Sequence, residues 1–126
     1  MTDYLALAEV LAIHDDQIER YGGPPASATA ASWKAALYRP QTGYYADLIE
    51  QAAALWESLA QNHPFIDGNK RTGFAATYTF GAINDARIAA DAKAAYVFIA
   101  GLYETNDFTF EKLAAWLRDN VEPASP

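Results

Sequence analysis

Cysteine is absent from all 126 residues. That absence removes a disulfide framework, a cysteine-based zinc site, an iron–sulfur cluster and a thiol nucleophile at once. Basic residues are scarce: nine Lys and Arg stand against sixteen Asp and Glu, for a net charge of -7. A chain of that sign repels a phosphate backbone unless its cations cluster, and only Lys70 and Arg71 are adjacent. No direct nucleic-acid partner is therefore expected. Long apolar runs are missing too. Nowhere do about 18 consecutive apolar residues occur, and Met1-Thr2-Asp3-Tyr4 carries no basic stretch ahead of an apolar one. The reading is a soluble, cytoplasmic protein without a membrane segment.

What is present suffices for a core. Hydrophobic residues make up 52% and charged residues 20%, which is too apolar for a disordered chain and enough for one domain. A single domain over 1–122 with residues 123–126 as a frayed tail is expected. Alanine, at 27 residues spread along the chain, favours helices and close helix packing.

Helical spacing of Leu7, Val10, Leu11, His14, Ile18 and Tyr21 predicts a first helix stopped by Gly22-Gly23-Pro24-Pro25. Tyr4, Leu5 and Leu7 allow a short extended start. A second helix is predicted over Ala28–Tyr38, ended by Arg39-Pro40, with Pro40-Gln41-Thr42-Gly43 as a turn. From Ala46 to Asn62 apolar residues cover more than half the helix circumference, so a central buried helix is predicted, ended by Pro64. Another begins near Gly68-Asn69 and runs to Ile83, with Phe74, Ala75, Tyr78 and Ala82 as its core positions and Asn84-Asp85 as its stop. Ala92–Glu104, through Ala95, Phe98, Ile99 and Leu102, and a last helix, through Phe110, Leu113, Ala114, Leu117 and Val121, complete the pattern. The fold class is all-α: a compact bundle of about six helices with no convincing sheet.

Chemistry concentrates in one place, His63-Pro64-Phe65-Ile66-Asp67-Gly68-Asn69-Lys70-Arg71-Thr72, between two buried helices. A bland reading exists: Pro, Asp and Gly are ordinary turn residues, Asp67 is a good helix N-cap, and Lys70 and Arg71 can be solvated. Two cations in the first turn oppose the helix dipole, however, which points to an anion sharing the site. Amides at Gly68, Asn69 and Lys70 form a cradle for a phosphate, to which Lys70 and Arg71 add charge. Asp67 is placed to hold Mg2+ bridging phosphates. His63, across the loop, is placed to take a proton from an incoming hydroxyl.

This run resembles the signature of the Fic/Doc superfamily, and more closely its death-on-curing (Doc) branch of toxin–antitoxin toxins. Similar to that family, too, are Val10 to Gly23, Ala36-Leu37-Tyr38-Arg39-Pro40 and Lys112-Leu113-Ala114-Ala115-Trp116-Leu117. The resemblance implies a helical domain that transfers a group from a nucleoside triphosphate, ATP with Mg2+, to a protein hydroxyl. It implies that His63 activates the hydroxyl, Asp67 binds Mg2+, Gly68-Asn69-Lys70 form the phosphate-binding turn, Asn69 and Arg71 contact phosphates, and Phe65 anchors the loop. AMP-transferring members carry glycine where this chain has Lys70, and a second arginine where it has Phe74. Both departures point to the Doc branch, whose best-known activity is phosphorylation of a threonine of elongation factor Tu, arresting translation. Gly68, where the prototype Doc has alanine, is the Fic-like letter and leaves AMP transfer as the alternative. A catalytically silent nucleotide- or partner-binding Fic fold is a further one, disfavoured by the intact His63, Asp67, Asn69, Lys70 and Arg71. Helix-turn-helix DNA binding is disfavoured by the charge. None of the seven glutamates is followed by Gly or Asn, so the family's built-in inhibitory helix is not visible. Inhibition in trans is expected, by a Phd-like antitoxin whose tail folds as a helix into a groove.

Other residues receive plainer readings. His14, on the apolar stripe of the first helix, is expected to be buried and hydrogen-bonded rather than a site residue. Arg39 is expected in a salt bridge, with contact to nucleotide or target as the lesser alternative. Thr42-Gly43-Tyr44-Tyr45 matches the region that docks targets in Fic proteins, and contact of Gln41 to Tyr45 with nucleotide or target is left open. Trp33, Trp56 and Trp116 are expected to fill the core or its edges, and Asp15, Asp16 and Glu19 to form a solvated face.

Overall fold

The structure is a computed structural model that describes residues 2–21, 35–61 and 69–124, with the backbone alone at 21, 61 and 69–71. Six helices lie in it: α1 (Leu7–Tyr21), α2 (described over 35–38), α3 (Leu48–Gln61), α4 (Asn69–Ile83), α5 (Ala92–Glu104) and α6 (Phe110–Asn120). Arg39–Gln41 continues α2 as a 3-10 turn with Pro40 buried at its start. Of the predicted second helix, 28–34 falls outside the described residues, as do Trp33 and the glycine-proline stop at 22–25. Residues 2–6 precede α1 without regular structure. Among the described residues no helix is long and apolar enough to cross a membrane.

Helix α3 is the hub, because it is apolar on nearly every side. Ala52, Ala53, Ala54, Leu55, Trp56, Leu59 and Ala60 are all buried, and α4, α6 and the 3-10 turn pack around it. Its own start is fastened by side chains. Asp47 Oδ1 accepts the Glu50 amide at 2.9 Å, while Glu50 Oε1 accepts the Ala46 amide at 3.0 Å, a variant of the reciprocal N-terminal box. Helices α5 and α6 begin on ordinary N-caps, Asp91 accepting from the Ala94 amide at 2.7 Å and Thr109 from the Lys112 amide at 3.4 Å.

An aromatic cluster binds the layers together. Trp56 meets Phe74 at 5.5 Å, Trp116 at 5.8 Å, Phe108 at 6.2 Å and Phe98 at 6.3 Å, all edge-on, while Phe98 stacks on Trp116 at 4.9 Å. These are the favoured geometries of aromatic pairs. Trp56 and Trp116 thus fill the core and its edge as expected.

Several expectations are corrected. Helix α4 does not bury Phe74, Ala75, Tyr78 and Ala82. Among its described residues the buried ones are Thr72, Gly73, Ala76, Thr77 and Phe80, whereas Phe74 and Ala75 are half-buried and Tyr78 and Ala82 exposed. Close approach to α3 requires small side chains at the contact: a Cβ on Gly73 would stand 3.3 Å from Trp56 Cδ1. Thr77 is tolerated there because its hydroxyl donates to the Gly73 carbonyl at 2.7 Å, leaving no unpaired polar group.

The second correction is a small sheet. Ala86–Ile88 (β1) pairs antiparallel with Val121–Pro123 (β2), with Arg87 opposite Glu122 and Ile88 opposite Val121. The pairing runs on through the Ala89 amide to the Asn120 carbonyl at 2.7 Å and the Ala124 amide to the Asp85 carbonyl at 2.9 Å. Val121 ends helix α6 rather than extending it, and 123–124 are held by these bonds rather than frayed. Asp85 makes the turn at φ 61, which aspartate accepts more readily than most residues. Asn84 clasps the N-terminal segment, its side-chain amide exchanging bonds of 2.7 and 2.8 Å with the backbone of Asp3.

Candidate functional site

His63, Phe65, Asp67 and Gly68 lie outside the described residues, and of Asn69, Lys70 and Arg71 the backbone is described. The described residues therefore give the two ends between which the segment runs, and not its side chains. Its two ends are the last turn of α3, at Gln61, and the first turn of α4, at Asn69. Trp56, in the second half of α3, lies against Gly73, near the start of α4, while Leu48, Ile49 and Ala52, at the start of α3, lie beside Thr77 and Gly81, toward the end of α4, so the two helices run antiparallel and Gln61 and Asn69 lie at the same pole.

The first-turn amides of an α-helix have no acceptor inside the helix. The first turn of α4 contains no acidic residue, and free amides at a helix start favour an anion. The residue that closes the motif, Thr72, is fully buried and shares a 3.0 Å hydrogen bond with Nδ1 of His14, itself fully buried on α1. His14 is thus the buried, hydrogen-bonded histidine its position on the apolar stripe indicated. Phe74 is in ring contact with Trp56 and with Trp116, at 6.5 Å, and so belongs to the aromatic cluster.

Arg39 makes the expected salt bridge. Its Nη1 meets Glu57 Oε1 at 2.6 Å and donates to Ser58 Oγ at 3.1 Å, and its Nε donates to the Tyr45 hydroxyl at 2.7 Å. Partial burial works against the guanidinium charge, but the bonds to Glu57 and Tyr45 outweigh it and raise its pKa above the ordinary value. Glu57 has a second task that the sequence did not announce: its Oε2 accepts the Phe110 amide at 2.8 Å, at the start of α6. Tyr45 packs on Phe110 with ring centroids 5.5 Å apart. One partly buried network therefore ties the segment after α2 to α3 and α6.

From this anchored base the segment carries Tyr44 outward, 83% exposed, next to Gly43 at φ 83. Positive φ is a conformation glycine adopts without a steric penalty. Thr42 caps the turn by donating to the Arg39 carbonyl at 3.0 Å, and Arg118 reaches across to Asp47 at 3.1 Å and Glu50 at 3.5 Å. The Glu50 amide, with Arg118, holds the Asp47 carboxyl below the usual range despite slight burial.

An open apolar groove of about 900 Å³ lies between α1, α4 and α5. Ile13, Phe74, Ile99 and Tyr103 line it, Tyr78 and Tyr96 stand exposed along it, and Asp16 and Gln17 edge it. Asp15, Asp16 and Glu19 are solvated, as expected, and Asp16 pairs with Arg20 at 2.9 Å. Among the described residues no group of three or more His, Asp or Glu is placed to hold a metal ion.

The helical bundle, with the run His63 to Thr72 leading into α4 in the sequence, has the marks of a Fic/Doc-like helical domain. Residues 4–81 match the Fic/DOC family, and the chain belongs to that family. The likeness read at Lys112–Leu117 falls outside the matched stretch. The chain is 41% identical over 96 residues to a protein named Toxin Doc from Mycolicibacterium smegmatis, covering 72% of each chain. It is 32% identical over 81 residues to Protein kinase doc of Escherichia phage P1, covering 61% of this chain and 64% of the phage protein.

Proposed function

We propose that this chain is a Doc-like toxin that transfers the terminal phosphoryl group of ATP to a protein hydroxyl, a threonine of elongation factor Tu, and so arrests translation in the cytoplasm. The observation that carries the reading is the run His63 to Thr72 leading into the first turn of α4, in a chain similar to a protein kinase doc. In the proposed assignment ATP·Mg2+ would supply the phosphoryl group, Asp67 would hold the metal, and the amides of Gly68, Asn69 and Lys70 would receive phosphate oxygens. Lys70 and Arg71 would neutralise charge as it develops, and Asn69 would contact phosphate. His63 would accept the proton of the attacking hydroxyl, and Phe65 would seat the loop. Phosphoryl transfer asks mainly for positioning and charge neutralisation, which this set can give.

Phosphoryl rather than AMP transfer is favoured by two positions. Lys70 stands where AMP-transferring relatives have glycine, and Phe74, where they have a second arginine, is an aromatic of the core edge with no cation to offer. Intact mass spectrometry of elongation factor Tu and other lysate proteins incubated with the protein, Mg2+ and ATP decides it. A gain of about 80 Da, absent with His63→Ala, is expected, and about 329 Da would establish AMP transfer instead. No gain on any protein of the lysate would refute the enzyme reading.

The groove between α1, α4 and α5 is open, apolar and edged by Asp16, which suits one apolar face of a helix with basic flanks. A Phd-like antitoxin is the proposed occupant, inhibiting in trans. Tyr96→Asp should abolish inhibition by the co-expressed neighbouring reading frame, and unchanged inhibition would exclude this seat.

A further inference from the structure

The bond between His14 and Thr72 joins two fully buried polar side chains 58 residues apart in sequence, at 3.0 Å. Its place is specific. Helix α4 carries three threonines in its described part, and two of them satisfy their hydroxyls inside the helix: Thr77 on the Gly73 carbonyl at 2.7 Å and Thr79 on the Ala75 carbonyl at 2.9 Å. The third, Thr72, is bonded to another helix, and it is the residue that directly follows Arg71 in the motif.

A buried imidazole is a costly way to fill a core position that leucine or valine fills without polar atoms. An α-helix turns 100° and rises 1.5 Å per residue. Fixing Thr72 both in rotation and along the axis therefore fixes the backbone of the three residues before it, Asn69, Lys70 and Arg71. A helix end is otherwise where the backbone frays. Helix α1 is a firm anchor for such a bond, since Val10, one turn before His14, is also buried.

We propose that His14 is a positioning residue: through Thr72 it pins the first turn of α4 to α1 and sets the direction in which the amides of Asn69 and Lys70 are presented. That these amides then receive phosphate rests on the nucleotide-transferring function proposed above.

The test uses the full chain and backbone amide resonances of Asn69 and Lys70, without nucleotide. Thr72→Val removes the hydroxyl at nearly constant shape, and His14→Leu removes the imidazole. Both are expected to displace these resonances, and the double variant to displace them no further. Thr72→Ser, which keeps the hydroxyl, and His14→Asn, which keeps a polar atom near the place of Nδ1, should leave them close to wild type. Titration with Mg2+·ATP on the same samples should show about tenfold weaker binding for the valine and leucine variants, the size of one lost buried hydrogen bond. Amides of Asn69 and Lys70 that stay in place in Thr72→Val, with only a lowered melting temperature, would overturn the proposal and leave His14 a packing residue. Should His14→Leu not fold, the Thr72→Val and Thr72→Ser pair carries the test. A wild-type protein indifferent to Mg2+·ATP would refute the nucleotide reading alone, since the displaced amides report the pinning independently.

Discussion

Replacing glycine by alanine inside a helix ordinarily stabilises it, by up to about 1 kcal/mol, because alanine loses less backbone freedom on folding. Gly73 and Gly101 are both interior helical glycines, and the structure predicts opposite signs for them. A Cβ at Gly101 meets nothing within 4 Å, so Gly101→Ala should raise stability by about 0.5–1 kcal/mol. A Cβ at Gly73 would stand 3.3 Å from Trp56 Cδ1 and 3.7 Å from both the Trp56 indole nitrogen and carbonyl oxygen. Relief requires Trp56 to yield by a few tenths of an ångström. It has little room, being fully buried with Phe74, Phe98, Phe108 and Trp116 all in ring contact. Overpacking a close-packed core costs about 1–3 kcal/mol, so after the propensity gain Gly73→Ala should be destabilised by about 1 kcal/mol, and Gly73→Val by more. Urea unfolding at unchanged slope, read by tryptophan fluorescence and by circular dichroism, measures both variants. Gly73→Ala as stable as wild type, or more so, would refute the claim that the α3–α4 contact is limited by this glycine.

Loss of the caps at α5 and α6 should each lower stability by about 1 kcal/mol in Asp91→Ala and Thr109→Ala, measured the same way, since each side chain accepts a first-turn amide. Glu57→Gln should cost about 1 kcal/mol or more, because both Arg39 and the Phe110 amide donate to this side chain and an amide turns one donor against another; an unchanged melting temperature would count against the network. Asp47 has its pKa depressed by the Glu50 amide and Arg118. A depressed carboxylate contributes stability above its unfolded value and loses it as pH falls through the folded one. The acid limb of a pH–stability curve should therefore flatten in Asp47→Ala, below about pH 4, and an identical limb would exclude a contribution from this residue.

The order of helices was legible in the sequence because several of their stops are chemical: Arg39-Pro40 after α2 and Asn84-Asp85 before β1. The ribbon was not, since three residues a side are too few for alternation to register. Only pairing in space makes Arg87 face Glu122 and Ile88 face Val121. The buried face of α4 was misread for a physical reason. Ranking by hydrophobicity puts Phe74 and Tyr78 inward, yet a helix that touches a tryptophan-bearing neighbour must bring its smallest side chains to the contact. Phe74 and Tyr78 are displaced to the flanks, where they line the groove. The same displacement makes an apolar surface next to the motif without any run of apolar sequence to announce it. Residue types drew attention to the motif, but the links behind it are tertiary. Glu57 between Arg39 and α6, and His14 beneath Thr72, join residues 18 to 58 apart. No local pattern in one sequence specifies such pairs; a histidine on an apolar stripe signals only that a buried partner is needed, and the fold supplies it at the residue where the motif ends.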